Sequence, residues 1–176
     1  ELAAGVLGEE RVTASLLVHS SLANRWPYGE IAQIIQFELA DLGIDVEIEV
    51  VEGGTWNERL GGDDYHMSMR PYTMSSGDPD DFMTYWVRPD GIFNQKYSIS
   101  YNNEEVLALI EEAVSATDPL QRKALYNQIQ AVLLEEAPFT SIYHEVTLYA
   151  TRSTVSGLTL DALFRPTLDT AVKLVE

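Results

Sequence analysis

Arg70, Tyr72, Thr73, Ser75, Ser76 and Asp78 crowd into one short stretch of the chain. A guanidinium is a forked donor that can grip a carboxylate with two hydrogen bonds, so Arg70 is a candidate anchor for an acidic group on a ligand. The competing reading is an ion pair with one of the chain's own acids, of which there are 28. The hydroxyls of Thr73, Ser75 and Ser76 suit a neutral or anionic polar solute. Asp78 precedes Pro79, with Asp81 at the third helical position, and reads as a helix N-cap. Tyr72 is either a ligand contact or the edge of a core, and loops at strand ends favour the first role.

Other chemistries lack their residues. The chain has no cysteine, which removes disulfides, thiolate metal sites and cysteine nucleophiles. No Gly-x-Ser-x-Gly, His-Glu-x-x-His or phosphate-loop pattern occurs. Asp78, Asp80 and Asp81 imitate a calcium loop, but Phe82 stands at its fifth position. Paired carboxylates are abundant in a chain of net charge -17 and so say little about acid–base work. The expectation is therefore no catalysis, no cofactor and no metal site. His19 and His66 fall in strand-like runs, where local structural roles are expected. The negative field repels phosphate backbones, which argues against nucleic acid as a partner. It fits a well-solvated acidic surface or a protein adapted to a salty milieu. No apolar run approaches the roughly 18 residues of a membrane helix.

The elements that must position these residues alternate. A strand is expected over Arg11–His19, a loop over Ser20–Tyr28, and a helix over Gly29–Leu42, whose Ile31, Ile34, Ile35, Leu39 and Leu42 recur at spacings of three and four. Gly43 is the stop. Ile44–Val51 alternates as a strand with one wet face. Thr55 and Glu58 suggest a capping box for a short helix to Leu60. A strand is expected over Tyr65–Tyr72, a helical stretch from Asp78 to about Trp86, and an irregular segment over Val87–Tyr101. Helices are expected over Asn102–Ser115, capped by Asn102, and from Asp118-Pro119 to Glu136, buried through Leu125, Ile129, Val132 and Leu133. Pro138 prevents continuation. Phe139–Tyr143, Val146–Thr151, Val155–Leu160 and Ala171–Val175 read as strands. This order indicates an α/β domain with helices against a mixed sheet.

Several of these runs together carry a resemblance. The helix Ala32–Leu42 passes through Gly43-Ile44 into an alternating strand. Asp64-Tyr65 opens the next strand, and an aromatic loop ends in Gly77-Asp78-Pro79. Tyr101-Asn102-Asn103 precedes an apolar helix, and Asp118-Pro119 leads to Arg122-Lys123-Ala124-Leu125-Tyr126. Glu135-Glu136-Ala137-Pro138 closes that helix before Phe139–Tyr143. Over roughly residues 12–160 the chain resembles the C-terminal lobe of the oligopeptide/dipeptide/nickel-type (family 5) extracytoplasmic solute-binding proteins of ABC importers. The resemblance implies a type II periplasmic-binding-protein-like lobe and a solute, peptide or metal chelate, held in a cleft between two lobes. It implies delivery to permease subunits and a partner N-terminal lobe of the same parent. It implies a periplasmic or extracellular location, with an anchor before this segment as one option. The chain opens on Glu1 without a basic and apolar leader, and family members are much longer. It therefore reads as a single C-terminal lobe whose front is missing.

The resemblance also implies site residues. The stretch Arg70 to Pro79, with Tyr72, Thr73, Met74, Ser75 and Ser76, matches the family's ligand loop, and Tyr72 takes the place of an aromatic that lies on the ligand. Peptide binders carry an acid in this loop for the peptide amine, whereas Ser75 and Ser76 stand here. Nickel-chelate binders show a similar Arg-x-aromatic. Phe93 and Asn94, beside Gln95 and Tyr97, lie in a loop that faces the cleft in relatives, and Tyr143 and His144 end a strand that reaches it. The alternatives are a non-peptide cargo such as a nickel chelate and, in another class, a stand-alone carbohydrate- or protein-interaction module.

Overall fold

A computed structural model describes residues 11–146, 148–161, 165–167 and 172–174. Its contacts divide the chain into two compact units, one of Glu1–Thr73 with Phe82–Leu107 and one of Met74–Asp81 with Ala108–Glu176.

The first unit is built on a parallel sheet of order β2-β1-β3. The central strand β1 (Val12–His19) pairs along its length with β2 (Ile44–Val51), from Val12 opposite Ile44 to His19 opposite Val51. Its other side pairs with β3 (Met67–Ser68), Leu16 opposite Met67 and Leu17 opposite Ser68. A strand covered on both faces needs a continuous apolar run, and Leu16, Leu17 and Val18 are all buried. Leu16 and Val18 face helix α2 (Tyr28–Ala40) and share a core with Tyr28, Ala32, Val46 and Met69. The other parity of β1 faces α3 (Gly53–Gly61), where the His19 ring meets the edge of Trp56 at 5.6 Å. Gly43 ends the α2 turn at φ 86°, a left-handed conformation that glycine adopts without strain.

Several expected boundaries move. Residues 20–28 carry a short helix, α1 (Ser20–Ala23), whose first turn is capped by His19 Nδ1 accepting from Ser21 N. Helix α3 begins at Gly53 without a side-chain cap, so the Thr55 box does not form. A Cβ at Gly53 would stand 2.8 Å from His19 Nε2, which explains the glycine there. β3 is shorter than Tyr65–Tyr72. At its start Ser15 N donates to His66 Nδ1 (3.1 Å) and His66 N donates to Ser15 Oγ (3.1 Å), so side chains replace the backbone rung. At the other end Pro71 has no N–H to offer. The segment expected to be irregular holds a helix, α5 (Ile92–Lys96). It follows α4 (Asp80–Phe82) and a wide π-type turn over Met83–Val87 closed by Arg88 N to Met83 O at 2.9 Å.

Helix α6 (Glu104–Ser115) is capped by Asn103, not Asn102, through Val106 N to Asn103 Oδ1 at 3.1 Å. In the second unit, α7 (Pro119–Glu136) starts on Asp118, whose Oδ1 accepts from Leu120 N, and buries Leu125, Tyr126 and Ile129, with Val132 and Leu133 half-buried. It ends in a left-handed Ala137 before Pro138. The strands expected over Phe139–Tyr143 and Val146–Thr151 are absent among the described residues, and Val146 and Leu148 are exposed. Extended backbone becomes a strand only with a neighbour to take its N–H and C=O groups, and no described residue pairs there. The Val155–Leu160 run is broken by Gly157 at φ 81° into β4 (Val155–Ser156) and β5 (Thr159–Leu160). β4 pairs antiparallel with β7 (Lys173–Leu174) and β5 with β6 (Pro166–Thr167). The outer residues of the expected Ala171–Val175 strand lie outside the described residues. Among the described residues no helix is long and apolar enough to cross a membrane.

Candidate functional site

Open parallel sheets bind ligands beyond the carboxyl ends of their strands, at the point where the strand order reverses. In the order β2-β1-β3 that point lies between β1 and β3, and Arg70 stands just past the carboxyl end of β3. Met69 turns into the α2-side core, so its neighbour Arg70 turns to the α3 side. There the guanidinium carbon lies 4.9 Å from the Trp86 ring centre, 4.9 Å from Tyr97, 5.4 Å from Phe93 and 5.8 Å from Trp56.

These rings come from three elements and hold one another. Trp56 belongs to α3, Trp86 to the π-type turn, and Phe93 and Tyr97 lie four residues apart at α5 and its end. Phe93 stacks on Tyr97 at 5.7 Å, Trp86 lies 4.8 Å from Phe93, and Trp56 meets Tyr97 edge-on at 5.7 Å. Tyr72 joins through an edge contact with Trp86 at 5.6 Å. Behind the rings, Asn94 is 2% exposed, and its amide nitrogen donates to the carbonyls of Val87 (3.3 Å), Arg88 (3.0 Å) and Tyr101 (2.9 Å). Tyr65 donates its hydroxyl to the Tyr97 carbonyl at 2.6 Å, and burial, with Asp63 nearby, pushes the Tyr65 phenol upward.

Arg11, Arg59, Arg88, Arg122 and Arg165 each pair with a carboxylate. Arg70 pairs with none among the described residues and is exposed. Cation–π attraction holds a guanidinium in place without using its N–H donors. The result is a positioned cation whose five donors have no acidic partner among the described residues.

The structure thus brings Arg70, Tyr72 and Phe93 together around Trp86, with Thr73 exposed beside them in sequence and Asn94 committed to the backbone that carries Phe93. The other residues singled out in sequence fall in the second unit. Met74 is exposed there. Ser75 Oγ, Ser76 Oγ and Ser76 N all donate to Asp81 Oδ2 at 3.0, 2.9 and 2.8 Å. Those bonds, first from the Ser76 backbone and then from its hydroxyl, hold the Asp81 carboxyl below its usual range. Asp78 caps Asp80 N at 2.9 Å and receives Arg122 through two bonds of 3.0 and 2.8 Å, so its carboxyl is also held low. Tyr143 and His144 are exposed in the stretch that forms no strand. Trp56 and Trp86 were not signalled by the sequence. Trp56, Arg70 and Trp86 belong to separate elements and share no local spacing.

Residues 4–94 match the sequence profile of the bacterial extracellular solute-binding proteins, family 5, middle region. The chain is 30% identical over 139 residues to the probable D,D-dipeptide-binding periplasmic protein DdpA of Escherichia coli, covering 79% of this chain and 26% of that protein. The dipeptide-binding protein of Pseudoalteromonas sp. SM9913, solved with Met-Leu, superposes with a TM-score of 0.74 at 23% identity over 99% of this chain and 35% of its own. NikA of Staphylococcus aureus, solved with Ni(L-His)2, gives 0.66 at 18% identity over 94% and 34%. The chain therefore spans about a quarter to a third of the length of these proteins. The fold is that of type II periplasmic binding proteins, α/β with helices packed on a sheet that is parallel in the first unit, the antiparallel strands forming separate pairs. The chain belongs to the bacterial extracellular solute-binding proteins of family 5.

Proposed function

We propose that the chain is the ligand-binding part of an importer's solute-binding component. In this reading it supplies one wall of a cleft, and the remainder of its parent supplies the other. It binds a small polar solute outside the cytoplasm, performs no chemistry on it, and hands it to permease subunits. Family membership supports the class, and the relatives' periplasmic names support the location. The observation that carries the site is Arg70, a guanidinium fixed by four rings and unpaired with any described acid in a chain of net charge -17. Such a group is stable without a protein counter-ion and suits a ligand that brings one. A carboxylate-bearing metal chelate is the second reading, supported by the likeness to NikA.

The test is a thermal-stabilisation screen of the gene product that carries this chain, against dipeptides, nickel chelates and sugars. A ligand that raises the melting temperature is then titrated against Arg70→Gln. Loss of a charge-assisted pair costs about 2 kcal/mol, so affinity should fall roughly 30-fold. Unchanged stabilisation in both Arg70→Gln and Tyr72→Ala would place the solute elsewhere.

A further inference from the structure

Arg70 shares one of its four rings, Tyr97, with a second cation. The Lys96 ammonium lies 5.2 Å from the centre of the Tyr97 ring, and the Arg70 guanidinium carbon lies 4.9 Å from the same centre. The two charges are therefore no more than about 10 Å apart. Lys96 is exposed in the last turn of α5, and no described carboxylate pairs with it. Lysine is scarce in this chain, being Lys96, Lys123 and Lys173 against 28 acids. Two like charges repel at this range, yet both lie on one ring and neither is paired with a described acid. A ligand with two negative groups can pair with each cation; a singly charged one leaves one of the two without a counter-ion.

We infer that the site takes a solute with two acidic groups a few carbons apart, a dicarboxylate or a chelate with two free carboxylates, one group on Arg70 and the other on Lys96. This rests on the solute-binding reading above and narrows its cargo. The Tyr97 ring offers apolar surface within reach of both charges, and the guanidinium gives the bidentate grip that fixes one end. Lysine, a compact point charge on a flexible stem, tolerates variation in the position of the second.

Calorimetric titration of the gene product with the straight-chain diacids from malonate to adipate, and with the monoamide of each, tests this. At least one diacid should bind about tenfold or more tightly than its own monoamide. Lys96→Gln should erase that preference while leaving the monoamide unaffected, and Arg70→Gln should weaken both. Lys123→Gln, the same charge change in the second unit, should alter neither. Equal affinity for diacid and monoamide in the wild type overturns the inference, as does a Lys96→Gln variant that keeps the preference or weakens both ligands alike. If no diacid binds while a peptide or sugar stabilises the protein, the two-acid cargo falls and the transport reading stands. If no solute of any class binds, both fall.

Discussion

Arginine serves two purposes in this chain. Arg122 is structural: it grips Asp78 with two bonds, donates to the Ala113 carbonyl at 3.1 Å and touches the Tyr126 hydroxyl at 2.9 Å. Arg70 makes none of these bonds and is held by rings instead. The difference predicts different responses to acid. Because Arg122 lowers the Asp78 carboxyl in the folded state, the pair stabilises the protein above the ordinary carboxylate value of about 3.9. That contribution disappears as pH falls through the lower folded value. Arg122→Met should therefore melt below wild type at neutral pH, and the gap should narrow as the solution is acidified toward pH ~2, leaving the part due to the Ala113 and Tyr126 bonds, followed by circular dichroism. Arg70→Gln loses its ring contacts, and whatever drop in melting temperature this causes should stay constant across the same range, because no described carboxylate pairs with Arg70.

At the scale of elements, the cage depends on how α5 docks on the π-type turn. Gly91 stands where a Cβ would lie 2.8 Å from the Thr84 and Tyr85 carbonyls and 2.9 Å from that of Arg88. Gly91→Ala must push backbone apart and should cost about 2 kcal/mol by urea unfolding. Asn94→Ala removes the amide that bridges the Val87, Arg88 and Tyr101 carbonyls, of which that of Arg88 keeps a second donor in Gly91 N, and should cost about 2 kcal/mol as well. Both should also weaken solute binding, since Phe93 and Tyr97 ride on the same helix. This is the region where the sequence was least legible. Val87–Tyr101 shows no apolar period, and a five-residue helix fixed by a buried amide leaves no periodic trace. By contrast, β1, β2 and the Asp118-capped α7 were legible because alternation, an apolar run and an Asp-Pro start are local signals. Thr55 misled because the helix entry is set by Gly53 packing under His19, a long-range contact. The strands read into 139–151 had the right residues and lacked a described partner strand.

At the scale of the whole molecule, the strand order determines where function can sit. A parallel sheet with β1 in the middle sends β1 and β3 out at the same edge, and the aromatic cage occupies that edge. Of the residues in the cage, Arg70 and Tyr72 stood out as a loop after a strand, and Phe93 and Tyr97 through the family resemblance. Trp56 and Trp86 did not, because only folding brings α3 and the π-type turn to Arg70. All three tryptophans of the chain back a guanidinium, Trp26 under Arg25 at 4.5 Å and the other two around Arg70. Intrinsic tryptophan emission therefore reports directly on whether solute arrives at the cage. In a Trp26→Phe background, titration with a solute that stabilises the protein should change the emission of Trp56 and Trp86 saturably, with the midpoint matching the calorimetric affinity and moving to higher concentration in Arg70→Gln. Saturation of binding with no change in that emission would contradict the assignment of the site to Arg70 and its rings.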